Sequence, residues 1–252
     1  MGIFLEDGGA RERGARREPD DIKERTIVVG DVHGCAGALR ELLDRMRADP
    51  ARDRLVLLGD LFDRGSDSWE VFRHVRELKS EFGSRFTLVL GNHEDYLTAE
   101  KLSFAQRRVW DRVGRRATVL SFKSHGEKME DAAPWLRENG SLFYRDGEIQ
   151  CVHAAVKVEP IEANDRRTLV HDHSAIFDNS YRGRFTVTGH VALPAVTYFA
   201  GDMRHIEEMS CGVWREIPEC GMLCIDTGCG KGGRLTGMAV SGGMYRLTSV
   251  PE

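Results

Sequence analysis

The chain has 252 residues, 41% of them apolar and 30% charged, which supplies a sizeable core and carries too much charge for life inside a bilayer. No run approaches the roughly 18 apolar residues of a spanning helix, and this excludes a helical membrane segment within it. The 36 Lys+Arg and 40 Asp+Glu leave a net charge of -4, so electrostatics give no ground for nucleic acid or an anionic membrane as a partner.

Residues 1–25 mix Arg and Glu without periodicity and read as a disordered arm. They lack the apolar stretch and cleavage site of a secretory leader, and Glu6 stands where a myristoylated chain carries Ser or Thr. The six Cys then read as free thiols in a reducing cytoplasm. Cys211, Cys220, Cys224 and Cys229 crowd together, but none of their spacings is the two-residue gap of a zinc knuckle, and they read as buried or incidental thiols.

Residues 26–252 read as a single domain. Thr26 to Val29 is a short apolar run ending at Gly30, after which Leu39, Leu42, Leu43 and Met46 recur at helical spacing. The unit repeats with Leu55 to Leu58, Gly59 and a helix face of Trp69, Phe72, Val75 and Leu78. A third unit runs from Phe86 to Leu90 and ends at Gly91. Three successive strand-loop-helix units predict an α/β fold with parallel strands whose C-terminal ends share one edge, where open sheets bind ligands. Residues 100–140, broken at Gly114 and Gly126, read as a helical insertion beside that edge. Hairpin signals follow at Asp146-Gly147, Gly201-Asp202 and Gly242-Gly243, making the second half β-rich.

Each of the three strand ends carries polar side chains that a plain loop does not need: Asp31 and His33, then Asp60, Asp63 and Arg64, then Asn92, His93 and Glu94. Asp31 and His33 are two apart and share a face on extended backbone, so both can grip one ion. Asp60 has two carboxylate oxygens and can bridge two ions. His153 and His190 each follow a later strand. Taken singly, an Asp or Asn after a strand is a turn former or a helix cap, and a lone His is usually a hydrogen-bonded structural group. Together Asp31, His33, Asp60, Asn92, His153 and His190 form an oxygen and nitrogen donor set suited to borderline divalent ions rather than calcium.

These residues resemble the phosphoprotein phosphatase branch of the calcineurin-like metallophosphoesterases, through Gly30–Gly34, Gly59–Gly65 and Gly91–Glu94, then Val152–Val156, Thr188–Val191, Ile225–Gly228 and the terminal strands to about 248. The resemblance implies a β-sandwich of two mixed sheets flanked by helices in four α/β/β/α layers. It also implies two divalent metals, manganese with iron, zinc or nickel as options: Asp31, His33 and Asp60 on the first, and Asp60, Asn92, His153 and His190 on the second. A hydroxide bridging the metals would attack phosphorus. His93, paired with Asp63, would protonate the leaving oxygen, and Arg64 would fork onto phosphate oxygens. Glu94 reads as a supporting or helix-start residue.

One stretch departs from the pattern. The region expected to supply a second phosphate-binding Arg reads Thr168 to His173, leaving Arg166, Arg167, Arg182 or Arg184 as replacements, or His173 as a phosphate donor. A solvated loop is the plain reading of His171 and His173. Arg107, Arg108, Arg112, Arg115 and Arg116 read as a solvated helix face, with contact to a polyphosphate or acidic phosphopeptide as the other reading. His74, His125 and His205 receive no role. The expectation is a cytoplasmic metal-dependent phosphoesterase acting on phosphomonoesters, foremost a serine/threonine protein phosphatase whose substrate is a phosphoprotein. The alternatives are a dinucleoside tetraphosphate hydrolase with a nucleotide substrate and a phosphate-binding scaffold without chemistry.

Overall fold

The computed structural model describes residues 24–252. The expected N-terminal arm lies outside the described residues as far as residue 23, and Arg25 already belongs to the first strand. In chain order the elements are β1 (Arg25–Val29), α1 (Ala36–Met46), β2 (Asp53–Leu57), α2 (Ser68–Phe82), β3 (Phe86–Val89), α3 (Asn92–Thr98), α4 (Phe104–Arg112), α5 (Arg115–Ser124) and α6 (Ala133–Asn139). There follow β4 (Gly140–Ser141), β5 (Phe143–Arg145), β6 (Gln150–Val152), α7 (Arg166–His171), α8 (Ala175–Asp178), β7 (Thr186–Thr188), β8 (Thr197–Phe199) and β9 (Ile206–Glu208). The chain closes with β10 (Trp214–Glu216), β11 (Met222–Cys224), β12 (Arg234–Ser241) and β13 (Met244–Pro251).

Among the described residues the strands form two sheets, one ordered β10-β13-β12-β1-β2-β3-β4 and the other β5-β6-β7-β11-β8-β9. Both are mixed. β1, β2 and β3 pair in parallel, as the three repeated units predict, and β12 and β13 add an antiparallel hairpin on the other flank. Side chains alternate between two cores because a strand has a period of two. Ile27, Val29, Leu55 and Leu57 face the core under α1 and α2, whereas Val28, Val56 and Leu58 meet Cys151, Val187, Leu223 and Ile225 of the second sheet. Val152, Met222 and Cys224 point outward to a third core beneath α7 and α8. These three cores separate four layers, α/β/β/α.

Arg25 fixes the register of β1 on β2, since its Nε and Nη2 reach the two oxygens of fully buried Asp53 at 2.9 and 2.5 Å, a two-pronged pair that satisfies a carboxylate held away from water. The hairpins form where glycine pairs predict them, although two are wider. Asp202 draws in the N–H groups of Arg204 and His205, which delays β9 to Ile206, and Asp146 does the same to Glu148 and Ile149 before β6. No helix among the described residues is long and apolar enough to cross a membrane.

The insertion is helical as expected, with α4 and α5 meeting at Gly114. Phe122 of α5 is fully buried, and its ring stands edge-on to Phe62, 6.0 Å away, in the loop after β2. The insertion is thereby packed onto a loop that carries polar site residues. Truncating Phe122 to Ala should cost about 3–5 kcal/mol in urea unfolding, against less than about 0.5 kcal/mol for exposed Leu120→Ala; equal, small effects would mean that the insertion is not anchored through this ring.

Candidate metal centre

The loops after β1, β2 and β3 are laced together by backbone groups. Val32 and His33 donate to the Asp60 carbonyl at 3.1 and 2.8 Å, Gly34 donates to Leu61, and Gly65 donates back to His33. The Glu94 carboxylate then acts as a staple: it accepts from the N–H groups of Asp60 (2.7 Å), Leu61 (2.8 Å) and Gly91 (3.0 Å), so the third loop fixes the second. Space is so tight that a Cβ on Gly91 would lie 2.2 Å from Asp60 Oδ1, and one on Gly189 would lie 2.0 Å from Asp31 Oδ1. His33, Asp60, Asp63, Arg64 and His190 all have positive φ, between 44° and 70°. Non-glycine residues enter that region at a cost, and such strain concentrates at functional sites.

Asp60 lies at the centre. Its Oδ2 is 3.5 Å from His33 Nε2 and 3.6 Å from His93 Nε2, and its Oδ1 is 3.4 Å from His153 Nε2. His153 Nε2 in turn lies 3.1 Å from His190 Nδ1 and 3.2 Å from Asn92 Oδ1, and His190 Nδ1 lies 2.8 Å from that same Asn92 oxygen. Two groups of donor atoms, each within 4.8 Å, share Asp60: His33, Asp60 and His93, and Asp60, His153 and His190. Asp31 Oδ2 is farther out, 3.9 Å from His33 Nε2, and its two oxygens accept the N–H of His190. Hence all six candidate ligands come together, and distance draws His93 closer to Asp60 than Asp31 is to His33.

The donor chemistry fits a pair of cations. His33 and His153 place Nδ1 against the carbonyls of Phe62 and Leu58, each at 2.7 Å. Donation from Nδ1 leaves Nε2 as a bare lone pair pointing at Asp60 and, for His153, at Asn92 Oδ1 as well. His33 Nε2 and His190 Nε2 are buried without any hydrogen-bond partner. Acceptors facing acceptors, out of water, are unfavourable until a cation lies between them.

Charge tells the same story. Burial pushes the Asp31 carboxyl well up, and the neighbouring carboxylates of Asp226 and Asp60 push it further. Burial also acts to raise Asp60, but the imidazoles of His153, His93, His33 and His190 outweigh it and hold the group well below the carboxylate range. Burial lowers His33 and His153 and, with His153 beside it, lowers His190 to about 2. Neutral imidazoles are the form that binds metal. Burial and the Asp60 charge raise Glu94 to about 7. His93 goes the other way: burial lowers it, but Asp60 and Asp63 together raise it.

Around this centre lie the other candidates. His93 Nδ1 is 2.5 Å from Asp63 Oδ2, so its Nε2 faces the site. Arg64 Nη1 is buried without a partner, and the guanidinium charge is felt by Asp31, His33 and His93, which places it beside the cluster. His173 stacks flat on His190, with centroids 4.2 Å apart and planes 3° from parallel, and so belongs to the rim rather than to a free loop. His171 bonds Asp95 Oδ2 at 2.7 Å, and Arg166 bonds Asp95 Oδ1 at 2.8 Å. Asp95 thus holds Arg166. Arg182 and Arg184 donate to the carbonyls of Gly201 and Asp146 and are tied to hairpins instead of the site. The late cysteines do not gather with one another; Cys229 lies instead with Cys35 and Glu252.

Three site residues have no role in the sequence reading. Trp110 and Thr118 of the insertion reach Asp63. Asp226 is buried, gives Oδ1 to the N–H of Gly228 at 2.9 Å and keeps Oδ2 without a partner. For Asp226 a signal existed in the stretch Ile225–Gly228; for Trp110 and Thr118 none did.

A sequence profile described as calcineurin-like phosphoesterase matches residues 24–219. The chain belongs to the calcineurin-like phosphoesterase family. Within the family it is similar to the symmetrical bis(5'-nucleosyl)-tetraphosphatase of Erwinia tasmaniensis, 36% identical over 135 residues, which cover 54% of this chain and 45% of that protein. The match spans just under half the length of that relative. The solved metallophosphoesterase of Sphaerobacter thermophilus superimposes with a TM-score of 0.60 at 16% identity, covering 90% of this chain and 87% of the other. The cold-active protein-tyrosine phosphatase of a psychrophilic Shewanella gives 0.60 at 15%, covering 92% and 80%. At these identities the structural likeness speaks for the phosphoesterase fold alone.

Manganese added to metal-free protein at about a hundredfold excess over its Kd should stabilise it by about 2.7 kcal/mol, or roughly 5–10 °C in a thermal melt of a domain this size. Asp60→Asn should remove most of that shift, and an unchanged shift in this variant would place the ions elsewhere.

Proposed function

We propose that the protein is a metal-dependent hydrolase that splits dinucleoside tetraphosphates, with Asp31, His33 and Asp60 holding one divalent ion and Asp60, Asn92, His153 and His190 the other. The gathering of these six donors on one sheet edge supports the phosphoesterase chemistry. The 36% identity to a symmetrical bis(5'-nucleosyl)-tetraphosphatase carries the choice of substrate. It reverses the order expected from sequence motifs, in which a phosphoprotein came first. Manganese is our choice of ion, because carboxylate, amide and imidazole donors suit it.

When bound, the two ions supply Lewis acidity and a nucleophile at neutral pH. The chain's own groups do the rest. Arg64, whose Nη1 has no partner, binds phosphoryl oxygens and neutralises their charge as it grows. His93, with Nδ1 against Asp63, gives its Nε2 proton to the bridging oxygen as the P–O bond breaks. Water adds across the central bridge, and two nucleoside diphosphates leave. The stacked His173 and the Arg166–Asp95 pair stand at the rim, where the ends of a long substrate would pass.

Diadenosine tetraphosphate and a phosphoserine peptide, assayed side by side with manganese, separate the two substrate classes. The expected outcome is conversion of the dinucleotide to two equal diphosphates, with kcat/KM at least about tenfold above the peptide, a gap of about 1.4 kcal/mol. His93→Asn should slow it about 10²–10⁴-fold. A better peptide substrate would restore the protein phosphatase reading, and folded, metal-loaded protein inert on both would restore the scaffold.

A further inference from the structure

Asp63 is fully buried, and its carboxylate has no Lys or Arg within ion-pair distance among the described residues. Such a group needs donors. Besides His93 it has two, both from the helical insertion. Trp110 Nε1 donates to Asp63 Oδ2 at 2.6 Å, and Thr118 Oγ1 donates to Asp63 Oδ1 at 2.5 Å. The Thr118 hydroxyl also accepts the N–H of Asp63 at 2.8 Å. Ser68 Oγ lies 3.2 Å from it and must be the donor there, because the single Thr118 proton is already committed. The hydroxyl is thus fully used, and it holds both the backbone and the side chain of Asp63. The elbow between α4 and α5 presses on the next residue: a Cβ on Gly114 would come 2.5 Å from the Arg64 nitrogen.

We propose that Trp110 and Thr118 are positioning residues for proton delivery, clamping both oxygens of Asp63 so that the His93 ring is held with Nε2 toward the leaving oxygen. This rests on the reading of His93 as the proton donor. In that step the His93 Nε2–H bond breaks, the proton joins the leaving oxygen as its bond to phosphorus breaks, and the Nδ1 proton stays on the His93 ring, donated to the Asp63 carboxylate. A ring held by one carboxylate oxygen alone would swing about it; with that carboxylate clamped by the indole on one oxygen and the hydroxyl on the other, the ring keeps one orientation. The indole and the hydroxyl serve through their polar atoms; Val matches Thr in volume and isolates its hydrogen bonds from the packing, whereas Phe removes the indole N–H together with the ring that carries it.

The test compares p-nitrophenyl phosphate, whose leaving group departs without a proton, with an alkyl phosphate, whose leaving group needs one, in the manganese-loaded protein. Trp110→Phe and Thr118→Val should each lower kcat on the alkyl ester about tenfold or more, within the 10²–10⁴ a general acid supplies, while leaving the aryl ester within about threefold; Thr118→Ser should restore the alkyl rate. In metal-free protein, the hydrogen-bonded Nδ1 proton of His93, assigned by its loss in His93→Asn, should shift or broaden in both variants. Equal losses on both esters, or an Nδ1 resonance that stays in place, would overturn the positioning role. If His93→Asn itself fails to discriminate between the esters, the reading of His93 falls instead.

Discussion

The Asp60 carboxylate is the constraint around which the three loops are arranged. It is buried among the imidazoles of His33, His93 and His153 at 3.4–3.6 Å, its backbone N–H is held by Glu94, and its backbone lies in the left-handed region. Its burial and its left-handed backbone are each unfavourable by themselves. Parallel strands β1, β2 and β3 bring their loops to one edge, and the cross-loop hydrogen bonds force the loops into register there. Glycine at 91 and 189 leaves the room that Asp60 and Asp31 occupy. Stability supplied by three cores is thereby used to hold buried lone pairs close together, an arrangement that a cation between them would relieve.

From this centre the chemistry divides into two shells of different origin. The candidate donors for metal come from loops at strand ends, where backbone geometry sets them. Asp63, and with it the proposed proton donor His93, is set by the insertion, since Trp110 and Thr118, 47 and 55 residues farther along the chain, grip its carboxylate. The phosphoesterase fold, shared with solved structures at 15–16% identity, brings the first set of loops to one edge. The second set depends on hydrogen bonds between distant segments, and it ties the proposed proton path to α4 and α5.

Much of this was legible in the sequence because it is written in short-range signals. Apolar runs ending at Gly30, Gly59 and Gly91 mark β1, β2 and β3, and the polar residues directly after them are the ones the fold gathers at the candidate site. The glycine pairs mark the hairpins. What stayed hidden depends on contacts between distant segments. Trp110 sits in a helix whose other residues read as a charged, solvated face, so its buried N–H has no sequence signature. β4 and β10 are too short to show a period. Arg182 and Arg184 are plausible phosphate ligands by charge, and only the folded hairpins show their guanidiniums spent on carbonyls.

The most direct test of the central claim is anomalous diffraction at the manganese edge from crystals grown with that ion. Two peaks flanking Asp60 are expected, one contacting Asp31 and His33 and the other contacting Asn92, His153 and His190. A single peak, or peaks that leave the Asp60 carboxylate without a metal neighbour, would contradict it.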